Sequence, residues 1–163
     1  MKIEFHPIGT IHTPYKKKAP FQPKSNDKGT FYLEIQEKYL TGLQGLEKFR
    51  YIYVLFFLDR IIHKENINIA HPPLGGDIKV GVFASRSPHR PNPIGLSIVK
   101  LKKIEGNRIY TSGLDAFDNT PILDIKPYIN DLDSKKDANY GWIKFKNLDE
   151  KEHFMLHIKG LPH

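Results

Sequence analysis

The sequence predicts a mainly β fold, in the form of a small closed or nearly closed β-barrel with one or two short helices. Three observations favour it. At least six short runs are rich in β-branched and aromatic residues, turn signals separate them at close intervals, and no Gly-rich or Walker-type phosphate loop points to a nucleotide-binding α/β domain. A chain of 163 residues is sufficient for one ordinary domain, so we expect a single domain over residues 1–163 with its core in residues 1–129.

Each strand is predicted by its own pattern. Mixed apolar and polar residues predict a strand over residues 3–11, and alternating apolar positions predict a half-buried strand over residues 30–35. The aromatic and β-branched run over residues 49–58 predicts a strand that is buried on both faces. The remaining strands are expected over residues 78–84, 94–104, 108–112 and 121–125, with a hairpin turn at residues 105–107.

Two short helices are also expected. Leucines at three-residue spacing predict one over residues 39–48, although two glycines weaken it. Asp149 and Glu152 form a pattern typical of a capping box, which predicts a helix over residues 149–159 in the C-terminal extension.

Composition and charge exclude several classes of protein. The chain has no cysteine, which excludes disulfides, thiolate metal sites and a cysteine nucleophile. His153 and His157 lie four residues apart, but they lack the H-E-x-x-H arrangement, so no metal site is expected. The longest apolar run is far shorter than a membrane span, and no secretory signal is visible, so a cytoplasmic protein is expected. The net charge of +7 favours a polyanionic partner.

The segment over residues 85–93, SRSPHRPNP, carries the most chemical information. Its three prolines fix φ and stiffen the loop, so its polar side chains lose little conformational entropy on ordering. Arg86 and Arg90 present planar forks suited to carboxylate or phosphate, and the Asn92 side chain can both donate and accept. The alternative interpretation is a stiff turn whose arginines pair with surface acids.

A second concentration of polar groups lies over residues 114–128. Three aspartates alternate with apolar residues there, and Asp118 and Asn119 form a turn pair. Backbone groups in such a turn could recognise an adenine edge, while a carboxylate could hold ribose hydroxyls. Alone, this segment is equally typical of a turn with local side-chain caps.

Together these segments resemble the TsaA/TrmO-like family. The resemblance rests on PIGTIHTPYK over residues 7–16, GVFASRSPHRPNPIGLSIVKL over residues 81–101 and GLDAFDNTPILDIKPYI over residues 113–129. It implies a β-barrel that uses S-adenosylmethionine to methylate the N6 nitrogen of threonylcarbamoyladenosine beside the anticodon of a tRNA. It also implies a homodimer with sites near the subunit interface.

The resemblance further implies which residues form the site. The cofactor contacts would fall on Pro14, Tyr15, Lys16, Asp59, Arg60, Arg86, Leu96, Asp118, Asn119, Thr120 and Pro121, while Arg90, Pro91 and Asn92 would shape the substrate pocket. Related sequences often have histidine in place of Asp59 and glycine in place of Asn119. Bacterial-type members also carry an extra C-terminal domain.

The implied chemistry needs a proton acceptor, because the acceptor nitrogen belongs to a urea-like group and is a weak nucleophile until its proton is lost. Asp115 and Asp118 are the candidate bases, although either could instead hold ribose. Lys17 and Lys18 are candidate RNA contacts, and a solvated lysine run is the alternative. Two other functions stay open: methylation of a different RNA or small molecule, and a non-catalytic barrel that binds RNA or senses S-adenosylmethionine.

Overall fold

The computed structural model describes residues 1–20, 28–61, 67–71 and 78–143. Eight strands lie in these ranges, and the predicted mainly β fold is confirmed. They are β1 (Gly9–His12), β2 (Tyr32–Ile35), β3 (Tyr51–Phe57), β4 (Ile69–Ala70), β5 (Val80–Gly81), β6 (Ile94–Glu105), β7 (Arg108–Thr111) and β8 (Thr120–Pro127). Three 3-10 helices cover Glu37–Leu43, Leu46–Lys48 and Val82–Ala84, and one α-helix, α1, covers Asn130–Asp133.

Six of the strands form a closed barrel. They pair in the order β1–β2–β7–β6–β3–β8, every pair is antiparallel, and β8 pairs back onto β1. The short strands β4 and β5 form a separate two-stranded sheet. Closure therefore brings the first and last strands of the ring side by side.

The core fills the inside of this ring. Because successive side chains of a strand point to opposite faces, alternate residues of each strand face inward. The fully buried inward set includes Ile11, Leu33, Ile52, Val54, Ile109 and Ile122. No helix in the described part of the chain is long and apolar enough to cross a membrane.

The structure corrects the prediction that the strand at residues 49–58 is buried on both faces. β3 alternates between buried and more exposed residues, and Tyr51 and Phe57 are each 41% exposed. The reason is the closed single-layer sheet, which gives each strand only one interior face. The apolar outer face of β3 is therefore only partly covered, with Tyr53 and Leu55 half-buried and both end residues exposed.

Three other boundaries differ from expectation. Residues 3–7 are exposed and precede β1, which begins at Gly9. The region predicted as a strand over residues 78–84 forms only the short β5 and then a 3-10 helix. The helix expected over residues 39–48 is two 3-10 segments, interrupted at Gly45, whose φ of 87° lies in the left-handed region.

The hairpin turn predicted at residues 105–107 is confirmed. β6 ends at Glu105, β7 begins at the paired Arg108, and Gly106 takes a φ of 58° that suits glycine. The predicted C-terminal helix over residues 149–159, together with His153 and His157, lies outside the described residues.

Candidate functional site

The first loop of the predicted site, residues 14–16, meets the aspartate-rich segment where β1 pairs with β8. Ile11 pairs with Thr120, and the backbone N–H of Asn119 donates to the carbonyl oxygen of Ile11 at 2.9 Å. Beyond the strand, the N–H of Asp118 donates to the carbonyl oxygen of Tyr15 at 2.9 Å. Thr13 Oγ1 donates to the carbonyl oxygen of Ala116 at 3.0 Å. Residues separated by more than a hundred positions are thus fixed against each other.

Asp118 organises the turn with its side chain as well as its backbone. Its Oδ1 accepts the N–H of Thr13 at 3.3 Å, and its Oδ2 accepts from Asn119 Nδ2, also at 3.3 Å. Asn119 itself has a φ of 67°, the only positive φ of a non-glycine residue among the described residues. Asparagine tolerates this left-handed conformation better than most residues, which explains how a non-glycine residue occupies this turn position.

Arg60 links three of the predicted groups. Its Nη1 donates to the carbonyl oxygen of Lys16 at 3.2 Å, and its Nη2 donates to that of Asp118 at 2.6 Å. Its guanidinium also lies 5.1 Å from the centre of the Phe117 ring, within the range of a cation–π contact. The predicted first loop, the Asp59-Arg60 pair and the turn after Phe117 therefore form one cluster.

Several other predicted cofactor residues belong to the same loop and turn or precede Arg60 in the chain, whereas Arg86 and Leu96 do not contact Arg60. Thr120 is buried, and its N–H donates to the carbonyl oxygen of Phe117 at 3.3 Å. Tyr15 is half-buried, with its ring 5.7 Å from that of Phe31. Pro121 is also half-buried, while Pro14, Lys16, Asp59 and Asn119 are exposed.

The 85–93 loop lies at the end of β3, next to β6. The N–H of Leu58 donates to the carbonyl oxygen of Pro93 at 2.8 Å. Inside the loop, Arg90 Nη1 donates to the carbonyl oxygens of Ser85 and Ser87 at 3.3 and 3.4 Å. Arg90 thus braces its own loop, while Pro91 and Asn92 are exposed.

A second polar cluster joins β6 to the aspartate-rich segment. Ser97 Oγ donates to Asp115 Oδ1 at 2.5 Å. Burial raises the pKa of the Asp115 carboxyl, while the Ser97 hydrogen bond and the positive charge of Arg86 act in the opposite direction. Arg86 and Asp115, both predicted from the sequence, are therefore electrostatic neighbours. Leu96 precedes Ser97 and points outward, 58% exposed.

Ser97 is a site residue that the sequence reasoning missed. It lies at an inward-facing position of β6 and is buried. A polar residue within the otherwise apolar first half of β6, residues 94–99, was the available signal, because a buried hydroxyl requires a hydrogen-bond partner.

Comparisons with known proteins all point to one family. Residues 10–134 match the family model described as the tRNA-methyltransferase O N-terminal domain. A "Probable S-adenosyl-L-methionine-binding protein" of Archaeoglobus fulgidus is 39% identical over 93% of this chain and 41% of its own length. A relative of the same description from Methanothermobacter thermautotrophicus is 39% identical over 82% of this chain and 96% of its own length. The human "tRNA (adenine(37)-N6)-methyltransferase" is 37% identical over 90% of this chain and 34% of its own length.

Solved structures agree with this assignment. The "Crystal structure of TrmO from Pseudomonas aeruginosa" superposes with a TM-score of 0.72 at 33% identity, covering 88% of this chain and 64% of that one. The chain spans less than two thirds of the length of several curated relatives that it matches. Because the family model covers more than half of the sequence and the fold agrees, the chain belongs to the family of tRNA-methyltransferase O N-terminal domains.

Proposed function

We propose that this protein is a tRNA methyltransferase that moves a methyl group from S-adenosylmethionine to the N6 nitrogen of threonylcarbamoyladenosine next to the anticodon. The observation that carries the proposal is the Arg60 bridge, which joins the predicted first loop to the turn at Asp118. The names of relatives, which include a tRNA (adenine(37)-N6)-methyltransferase, support the same reaction.

The residues at the Arg60 bridge fit the proposed cofactor. An adenosyl group attached to an amino acid needs apolar surface together with hydrogen-bonding groups on rigid backbone. The bridged loops offer fixed peptide groups, and Leu96 offers an exposed apolar side chain on a strand. The residues proposed to hold the cofactor are Pro14, Tyr15, Lys16, Asp59, Arg60, Arg86, Leu96, Asp118, Asn119, Thr120 and Pro121. When bound, S-adenosylmethionine supplies an electrophilic methyl group on a positively charged sulfur.

Asp115 is the better of the two candidate bases. Both carboxylate oxygens of Asp118 accept hydrogen bonds that shape the turn. Asp115 instead lies in a largely buried environment that raises its pKa, and such a carboxylate is a stronger proton acceptor than an exposed one. Its role is to take the proton from the acceptor nitrogen. Before that transfer, the Ser97 hydroxyl positions the Asp115 carboxylate and the positive charge of Arg86 lies near it.

The remaining loop residues would recognise the substrate. Arg90, Pro91 and Asn92 lie on a braced, proline-rich loop, and their groups suit the threonyl carboxylate and amide of the modified base. Lys17 and Lys18 are exposed immediately after the first loop. They are placed to neutralise phosphates of a bound tRNA.

The decisive experiment is mass analysis of nucleosides from tRNA incubated with the protein and S-adenosylmethionine. A gain of one methyl on threonylcarbamoyladenosine is expected, and it should vanish when the donor is replaced by S-adenosylhomocysteine. Cofactor binding without methylation of any tRNA would instead favour a sensor, a reading that the relatives named only as binding proteins keep open. If the protein does not bind S-adenosylmethionine, both the methyltransferase and the sensor function are excluded.

A homodimer is the assembly we propose. On the outer face of the barrel, β3 and β6 place apolar side chains directly opposite each other, with Phe57 across from Ile94 and Tyr53 across from Ile98. Ile94, Leu96 and Ile98 are 38%, 58% and 46% exposed. A contiguous apolar surface of this kind is typical of a protein–protein interface, and it includes Leu96 of the proposed cofactor site. A second copy would therefore lie next to that site.

A further inference from the structure

His12 is a partly buried titratable residue at the proposed site for which no role has been assigned. It is the last residue of β1 and precedes the loop that carries Tyr15 and Lys16. Its Nδ1 lies 3.4 Å from Asp118 Oδ1, within ion-pair distance, and that same oxygen accepts the N–H of Thr13. It therefore touches the aspartate whose backbone is bound by Arg60 and Tyr15.

The opposite side of the His12 ring is held by β2. The ring stacks on Tyr32, with centroids 4.5 Å apart and an interplanar angle of 18°. Its Nε2 lies 3.4 Å from Glu34 Oε2, within ion-pair distance, although the direction is not that of a hydrogen bond and the atom is shielded from solvent. With this side fixed, the Nδ1 edge has one orientation, which is toward Asp118.

Glu34 and Tyr32 are themselves fixed by a neighbouring strand. Arg108 Nε on β7 donates to Glu34 Oε1 at 3.2 Å, and its guanidinium lies 5.0 Å from the centre of the Tyr32 ring. The groups facing His12 are therefore Glu34 and Tyr32 from β2 and Asp118 from the turn before β8. Arg108 acts on His12 only through Glu34 and Tyr32.

We propose that His12 is a positioning residue for the site. Through Nδ1 it fixes the Asp118 carboxylate, and so it holds the peptide groups of the turn at Asp118 and Asn119 in the arrangement that binds the cofactor. This inference rests on the proposed function, because it concerns the same turn. The competing explanation is that the imidazole only fills space against Tyr32, in which case any planar side chain would serve.

Three substitutions separate these explanations. In His12→Asn the side-chain nitrogen replaces Nδ1 and the Glu34 contact is lost, whereas in His12→Gln it replaces Nε2 and the Asp118 contact is lost. His12→Phe keeps a ring against Tyr32 but has no nitrogen. His71→Asn, at an exposed histidine, is the matched control.

The first measurement is the dissociation constant for S-adenosylmethionine by calorimetry on the full chain. We expect His12→Asn and His71→Asn to stay within about threefold of the wild type, and His12→Gln and His12→Phe to bind about tenfold more weakly, the loss expected for one contact to a charged group. Wild-type affinity in His12→Phe, or weaker binding in His12→Asn than in His12→Gln, would overturn the proposal.

The second measurement needs no cofactor. Backbone amide chemical shifts of Asp118 and Asn119 are expected to move in His12→Phe and to stay near their wild-type values in His12→Asn. If the wild type does not bind S-adenosylmethionine, the proposed function fails, and these shifts alone decide the inference. Unmoved shifts in His12→Phe would contradict a positioning role.

Discussion

Asp115 differs from Asp118 in its surroundings rather than in its chemistry. Asp118 is bound by the backbone N–H of Thr13 and the side chain of Asn119, while Asp115 is held by Ser97 in a half-buried position near Arg86. The sequence shows two aspartates three residues apart and cannot rank them, because their environments come from β1 and β6, which are distant along the chain. The residue types were therefore predictable, and their separate roles required the structure.

Replacement of Asp115 by asparagine tests its role as the base. Asp115→Asn keeps the size of the side chain and an oxygen that can accept from Ser97, but it cannot take a proton. We expect kcat for tRNA methylation to fall by about 10² to 10⁴, the usual contribution of a positioned base, with little change in cofactor affinity. Asp124→Asn, at a carboxylate paired with Lys126 on β8, is the control. A kcat near that of the wild type in Asp115→Asn would exclude Asp115 as the base.

The same substitution should change how stability depends on pH. Because burial raises the pKa of Asp115 above its ordinary value of 3.8, the folded state holds this proton more tightly than the unfolded state. Stability from this group is therefore present at low pH and decreases as pH rises from the unfolded pKa to the folded pKa. Asp115→Asn lacks this loss, so its stability relative to the wild type should increase from about pH 4 upward. Urea unfolding at several pH values measures this, and a difference that is constant with pH would contradict it.

At the scale of elements, the pattern of alternation predicted most strands but not which faces are covered. Phe31, Leu33 and Ile35 alternate as predicted and face the interior. The run at β3 appeared fully buried because its outward residues are as apolar as its inward ones. Hydrophobic character alone cannot distinguish the inner face of a barrel strand, which is buried, from an apolar outer face, which is partly exposed. The helix predicted over residues 39–48 forms as two 3-10 segments. Its leucine spacing of three residues matches the three residues per turn of a 3-10 helix.

Gly95 shows how closely β3 and β6 approach each other. A Cβ atom added at Gly95 would collide with the ring of Phe56, which is buried in the core. We expect Gly95→Ala to destabilise the protein by about 1–3 kcal/mol, because a packed ring must move to admit the methyl group. Urea denaturation measures the change.

Gly42→Ala is the matched control for this prediction. Nothing lies within 4 Å of a Cβ placed there, and its φ is not positive. The control should unfold within about 0.5 kcal/mol of the wild type. Equal stability of the two variants would show that β6 can shift to accept a side chain.

At the scale of the whole molecule, the outer face of β3 and β6 predicts self-association. Ile98→Glu places a charge at the centre of the exposed apolar surface opposite Tyr53, so a dimer is expected to dissociate into monomers. Lys102→Glu, at an exposed position of the same strand, should leave the assembly intact. Sedimentation velocity of the three proteins distinguishes the outcomes, and a monomeric wild type would remove the dimer proposal.

The positive charge of the chain should appear in the salt dependence of tRNA binding. Replacing Lys17 and Lys18 together by alanine is expected to make the slope of log K against log salt shallower by about 1 to 2, since each phosphate contact contributes slightly less than one. Replacing the exposed pair Lys135 and Lys136 serves as the control for a general loss of charge. Identical slopes for the two double variants would count against a specific role for Lys17 and Lys18.

The position of the proposed site on the β1–β8 junction has a consequence for folding. Tyr15 and Asp118 meet where the first and last barrel strands in chain order, β1 and β8, pair, so their contact closes a loop of about a hundred residues. A small molecule that binds both loops would hold β1 and β8 together. It would therefore oppose the separation of these two strands during unfolding. Its affinity would then report whether the barrel is intact, and in its presence the whole domain would melt at a higher temperature, in proportion to the logarithm of its concentration.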